Sequence, residues 1–182
     1  MPTPNFLLER QIRRFYEGGQ EAGRLETPFF RWEKVRTLDL LDRFLPPAPA
    51  RILDVGGAAG AYAFPLAEKG YVVDLIDPVL LHIEQAKERA LVDQRAPRSF
   101  QVGDARAIPC DDGAADAVLL FGPLYHLTDF SERLKAICEA PACCALEGFF
   151  WLWQSRGSPQ RWTVSRAGRF ATRILFALWN RI

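Results

Sequence analysis

The sequence predicts an α/β protein built on a doubly wound parallel sheet. Three observations carry that reading. The stretch RILDVGGAAG at residues 51–60 is an apolar run that breaks into a glycine-rich turn. A second run, YVVDLID at 71–77, ends in an acid 23 residues after Asp54. Two further short apolar runs, at 100–102 and 117–121, each lead straight into a loop that begins with glycine. Short buried strands alternating with helical stretches are the pattern of parallel βαβ units.

Taken in order, residues 5–18 carry Phe6, Leu7, Ile12, Phe15 and Tyr16 at helical spacing, and Gly18 and Gly19 end that helix. A second helix is predicted over Phe30–Phe44, with Trp32, Val35, Leu38, Leu41 and Phe44 on one stripe; Pro46 and Pro47 close it. Within this helical preface Tyr16 and Arg36 are candidates to touch a ligand. Core packing for Tyr16 and a solvated face for Arg36 are the alternatives.

Ile52, Leu53 and Val55 form the first strand. Gly56, Gly57 and Gly60 let the chain turn sharply and approach a ligand closely. The helix that follows, from Ala61 to Gly70, contains Pro65, which a helix tolerates only in its first turn. Pro65 lies five residues after Gly60 and falls in that turn only if the helix starts late. Asp54 decides the ligand class. It stands at the strand end, where a dinucleotide brings its pyrophosphate to the helix N-terminus. A carboxylate opposes a diphosphate there and suits a ligand that carries positive charge. Asp77, ending the next strand, is placed to accept ribose hydroxyls.

Pro78–Leu91 reads as a helix, and His82 on it reads as structural. After the strand at 100–102, Gly103 and Asp104 open a loop. A carboxylate at Asp104 is able to accept the exocyclic amine of adenine, with the backbone N–H of Ala105 beside the ring. The alternative for Asp104 is a turn residue bonded to its own backbone. Ala117–Phe121 forms the fourth strand, and Tyr125 and His126 are the reactive side chains of the loop beyond it. Loops at the carboxyl ends of parallel strands are where such folds bind substrate. A histidine titrating near neutrality can act there as a general base; packing or capping of the next helix is its alternative role.

From Phe15 to Ala140 the chain resembles the class I S-adenosylmethionine-dependent methyltransferases, which have a Rossmann-like fold. LDVGGAAG is similar to the first motif of that family, with Asp54, Gly56 and Gly60 in place and Ala58 at its middle glycine. LIDP is similar to the second motif. Gly103-Asp104-Ala105-Arg106 with Ile108 and Pro109 is similar to the third, and DAVLLFGPLYHL at 116–127 to the fourth strand and its loop. The resemblance implies S-adenosyl-L-methionine as cofactor, held by Asp54, Gly56, Gly57, Gly60, Asp77, Asp104, Ala105 and Phe121. It implies His126 and Tyr125 as the side chains nearest the chemistry, and no metal. Methyl transfer is an in-line displacement that needs positioning more than reactive side chains.

Composition bounds the rest. The 182 residues predict a single domain, with a helical segment at 1–50, a cofactor core at 51–153 and a basic tail at 154–182. Net charge is +1, yet all six charged residues from 148 to 182 are arginines, so the first 147 residues carry 17 basic against 22 acidic groups. An acidic body argues against nucleic acid as partner, and the reading that goes with the resemblance is a methyltransferase acting on a small-molecule acceptor. Cys110, Cys138, Cys143 and Cys144 form no Cys-x-x-Cys pair, which argues against zinc and for free thiols in a reducing cytoplasm. No apolar run is long enough to span a bilayer.

The family pattern breaks after residue 140. Residues 141–148 stand where the family has a Leu-x-Pro-Gly-Gly turn, and residues 149–153 stand for its fifth strand. The composition shift beyond predicts a shifted reading frame or replaced C-terminus; a basic amphipathic helix over 161–182 is the alternative. Phe170, Ile174, Leu175 and Leu178 repeat at helical spacing, which predicts a helix over 166–180 in place of the family's hairpin. A sheet that ends at its fifth strand leaves an uncovered edge, and that predicts self-association. Two competing functions remain at this point: a non-catalytic S-adenosylmethionine-binding module and an NAD-dependent oxidoreductase. Asp54 and the Gly-Asp-Ala stretch argue against the second.

Overall fold

The computed structural model describes residues 28–127, 129–154 and 161–166. Its elements run in the order α1 (Pro28–Phe44), β1 (Arg51–Val55), α2 (Ala63–Glu68), β2 (Val72–Asp77), α3 (Leu80–Ala90), β3 (Ser99–Val102), β4 (Ala115–Leu120), α4 (Pro123–His126), α5 (Phe130–Cys143), β5 (Cys144–Gln154) and β6 (Arg161–Arg166). They build one six-stranded sheet in the order β3-β2-β1-β4-β5-β6. The first five strands are parallel, and β6 returns antiparallel to β5. This is the Rossmann-like doubly wound architecture that the sequence predicts. The strand order reverses between β1 and β4, which opens a crevice at their carboxyl ends.

Alternation along the central strands explains how both faces are covered. Ile52, Val73, Leu75, Ala117 and Leu119 pack on one side with Leu41 of α1, Phe64 of α2 and Ile83 of α3. Leu53, Val55, Ile76, Val118 and Leu120 pack on the other with Leu124 of α4 and Ala136 and Ala140 of α5. A polar cluster ties the amino-terminal half of the sheet. Asp74 of β2 is buried and accepts from Arg51 Nε, Arg98 Nε and Ser99 Oγ, while the Arg51 backbone N–H donates to Asp116. Its hydrogen bonds to Arg98, Ser99 and Arg51 outweigh burial and hold its carboxyl below the usual carboxylate range.

Pro65 is the third residue of α2, inside the first turn, where a missing N–H breaks no helical bond. The stripe expected on α1 is corrected. Leu41 is buried and Leu38 half-buried, but Trp32, Val35 and Phe44 are exposed. The inward face instead includes Thr37, which donates to the Glu33 carbonyl at 2.8 Å and so satisfies its hydroxyl locally.

The end of the sheet also differs from expectation. No turn separates α5 from β5: the helix runs through Pro141 to Cys143, and the strand begins at Cys144. The register against β4 slips between Ala115 and Ala117, which absorbs the extra residues of β5 as an irregularity. The sheet does not stop at five strands. Arg161–Arg166 pairs antiparallel with Phe149–Gln154 as a sixth strand. The alternation of Trp162 and Val164 with Thr163 and Ser165 is a strand signal short enough to be overlooked. The strand at Arg161–Arg166 corrects the alternative helix over 161–182 at its start and takes in the first residue of the helix expected over 166–180. Residues 167–182, the helix expected at 5–18, and Tyr16 all lie outside the described residues.

Candidate cofactor site

Four loops meet at the carboxyl ends of β1 to β4. Asp54 is the fourth residue of β1 and is 1% exposed. The Ala63 N–H donates to its carboxyl group, but its Oδ2 has no hydrogen-bond partner among the described residues. Burial first, and then the charge of Asp77, push this carboxyl up to about 7. A buried acceptor left without a donor is costly unless a ligand supplies one.

The turn after β1 is drawn tightly around that carboxyl. Gly56 has φ of +72°, and its N–H donates to the Ile76 carbonyl at 2.7 Å. A Cβ on Gly56 would stand 2.5 Å from the Pro123 ring, so the loop after β4 rests directly on this glycine. A Cβ on Gly57 would stand 2.5 Å from both Asp54 Oδ2 and Leu75. Gly60 closes the turn in the left-handed region, with its N–H on the Gly57 carbonyl. Ala58 is the exception: it is a left-handed residue, φ +49°, with a side chain.

Asp77 holds Ala58 in place. Its Oδ2 accepts the Ala58 N–H at 2.9 Å; its Oδ1 accepts the Val79 N–H at 2.9 Å and faces His82 Nδ1 at 3.0 Å. The third loop joins through the Gly103 N–H, which donates to the Asp77 carbonyl. Asp104 there is buried, and Arg106 grips it from three donors: backbone N–H and Nε on Oδ1, and a terminal guanidinium nitrogen on Oδ2. The same guanidinium reaches Glu132 of α5, and these bonds raise the Arg106 pKa. Ala105 is buried in the second core layer. Phe121, just past β4, is buried against the Tyr62 ring edge-to-face at 5.4 Å.

The structure thus brings Asp54, Gly56, Gly57, Gly60 and Asp77 together around one turn, with Asp104, Ala105 and Phe121 on the adjoining loops. His126 is the half-buried last residue of α4, and the Tyr125 side chain lies outside the described residues. Arg36 is exposed on α1. Sequence reasoning missed His82 and Arg106 as partners of the two acids. His82 follows Asp77 by five residues, in the first turn of α3, and that proximity was the available signal. Burial pushes the thiols of Cys143 and Cys144 up to about 12, so neither is poised as a nucleophile. No group of described residues is arranged to hold a metal ion.

A glycine turn with a carboxylate beneath it stands beside a second acid that closes the neighbouring strand, an arrangement suited to a cationic group rather than a diphosphate. The unpartnered Asp54 Oδ2 fits the ammonium of S-adenosylmethionine, so the residues present suit that cofactor. Comparison with known proteins agrees. Residues 52–148 match the model of the methyltransferase domain family, and the chain belongs to that family. It is 34% identical over 113 residues to an uncharacterized methyltransferase of Mycobacterium tuberculosis, covering 62% of this chain and 44% of that protein. The chain therefore spans less than half the length of this curated relative. Among solved structures, the PH0226 protein of Pyrococcus horikoshii superposes with a TM-score of 0.63 at 21% identity, over 73% of this chain and 57% of that one. The phosphoethanolamine N-methyltransferase 1 of Haemonchus contortus, in complex with phosphoethanolamine and S-adenosylhomocysteine, superposes with a TM-score of 0.57 at 25% identity, over 66% and 25%.

Proposed function

We infer that this chain binds S-adenosylmethionine and transfers its methyl group in line to a small-molecule acceptor. The single observation that carries the reading is the buried, unpartnered Oδ2 of Asp54 beneath the Gly56–Gly60 turn. Asp54 receives the ammonium of the cofactor. Asp77 receives a ribose hydroxyl, and Asp104, with one acceptor position left open by Arg106, receives the adenine amine beside Ala105. Phe121 packs against the bound nucleoside.

The cofactor supplies a methyl group on a sulfonium, an electrophile whose leaving group is a neutral thioether. The protein then has three tasks: to fix that methyl in line, to exclude water, and to accept a proton from the acceptor where one is released. The close packing of Pro123 on Gly56 fixes the start of α4 against the glycine turn, which supports the reading of the Tyr125–His126 loop as the one beside the acceptor. His126 is the proposed general base. No described helix is long and apolar enough to cross a membrane.

Calorimetric titration with S-adenosylmethionine, S-adenosylhomocysteine and NAD tests the cofactor, and a screen of small oxygen and nitrogen acceptors tests the transfer. The first two ligands are expected to bind and NAD to fail. Equal or tighter binding of NAD would overturn the assignment.

A further inference from the structure

His82 reads from the sequence as a structural residue, yet the structure sets its ring against the acid that the proposed function assigns to ribose. His82 is 3% exposed and Asp77 4%. An ionised carboxylate offers about four acceptor positions and no donor. Three are taken here: two on Oδ1, by the Val79 N–H and His82 Nδ1, and one on Oδ2, by the Ala58 N–H. Because the carboxylate only accepts, the ring nitrogen that faces it carries the hydrogen. The two oxygens are therefore not equivalent. Oδ1 is saturated by groups from the start of α3, and Oδ2 keeps one open position beside the glycine turn.

We propose that His82 is a positioning residue for nucleoside binding, whose Nδ1–H clamps Oδ1 of Asp77 so that Oδ2 alone receives one ribose hydroxyl. The proposal rests on the reading of Asp77 as the ribose acid. Rotation of the carboxylate out of this plane would break its bonds to Ala58, Val79 and His82 together. The buried imidazole, carried on a helix and bonded to Oδ1, opposes that rotation. It also limits recognition: the carboxylate has room for a single hydroxyl, not for both.

The test compares S-adenosylhomocysteine with its 2′,3′-dideoxy analogue by calorimetry, on wild type, His82→Leu and His82→Asn. The asparagine amide nitrogen can stand near the place of Nδ1. His82→Leu is expected to weaken S-adenosylhomocysteine about tenfold, the scale of one charge-assisted hydrogen bond, while the dideoxy analogue changes by less than about twofold. His82→Asn is expected to recover most of the loss. An equal loss for both ligands in His82→Leu means a merely structural role and overturns the proposal, as does no loss for either. A wild type that does not distinguish the two ligands overturns the ribose reading of Asp77 itself, so the two failures separate. If His82→Leu does not fold, long-range proton–nitrogen NMR on the wild type decides. A hydrogen on Nδ1 is expected, and an unprotonated Nδ1 facing Asp77 would refute the clamp.

Discussion

The carboxyl of Asp54 is pushed up to about 7, first by its burial and then by the charge of Asp77 at the end of the neighbouring strand. Its value in the unfolded chain is near 3.8. The folded state therefore binds more protons than the unfolded state between those limits. The Asp54 contribution to stability is fully present below pH 4, is lost as pH rises to about 7, and is then constant. A change from 3.8 to about 7 corresponds to roughly 4 kcal/mol over that window. Urea denaturation of the ligand-free protein between pH 4.5 and 8.5 is expected to show the decline. Asp54→Asn should remove most of it, and a variant that keeps the wild-type slope would assign the titration elsewhere.

The same group makes a prediction about binding. At pH 6 Asp54 is largely protonated, and an ammonium seated on Oδ2 favours the ionised form. Binding of S-adenosylhomocysteine should then release close to one proton at pH 6 and almost none at pH 8.5. Calorimetry in buffers of different ionisation enthalpy reads the number directly. An apparent enthalpy independent of buffer at pH 6 would separate Asp54 from the ammonium.

Asp74 and Asp77 lie on one strand and are both buried, yet they should respond differently to mutation. Asp77→Asn is expected to weaken S-adenosylhomocysteine about ten- to a hundredfold, for the loss of a charge-assisted bond to ribose. Asp74→Asn leaves affinity unchanged and lowers stability by about 2–3 kcal/mol, because one accepting oxygen becomes a donor and the charge that Arg51 and Arg98 pair with is lost. Binding titration and denaturation on both variants check the pair. A ligand effect at Asp74 would move the ribose contact back along the strand.

The contrast between these two acids marks what the sequence disclosed. Both strand ends, the glycine turn and the late start of α2 were legible because each depends on local spacing and on Gly or Pro geometry. The ion-pair partners were not. Arg106 grips Asp104 from two residues away and Glu132 from 26, and only the folded chain brings all three together. The exposed face of α1 escaped for a related reason. Apolar residues occur on more than one side of that helix, so periodicity alone did not say which side meets the sheet. Arg161–Arg166 was hidden by composition, since a six-residue strand flanked by arginines carries a weak apolar signal beside the helical repeat that follows.

Ala58 and Gly57 are neighbours with opposite expected responses. Ala58 sits in the left-handed region at φ +49°, a conformation that costs a residue with a Cβ about 1–2 kcal/mol. Glycine there relieves that strain but loses more backbone freedom on folding, by about 0.5–1 kcal/mol. Ala58→Gly should therefore stabilise the protein by up to about 1 kcal/mol, with the N–H still on Asp77 and cofactor affinity unchanged. Gly57→Ala does the reverse. Its new methyl would meet Asp54 Oδ2 and Leu75 at 2.5 Å, and neither can retreat from a buried strand. A loss of about 1–3 kcal/mol follows, the range for overpacking a core. Affinity should fall with it, because displacing Asp54 moves the acceptor that meets the ammonium. Denaturation and titration of the two variants side by side give the answer. If Ala58→Gly destabilises, the strain at Ala58 is absent in solution; if Gly57→Ala is neutral in both measurements, the turn is not packed against Asp54.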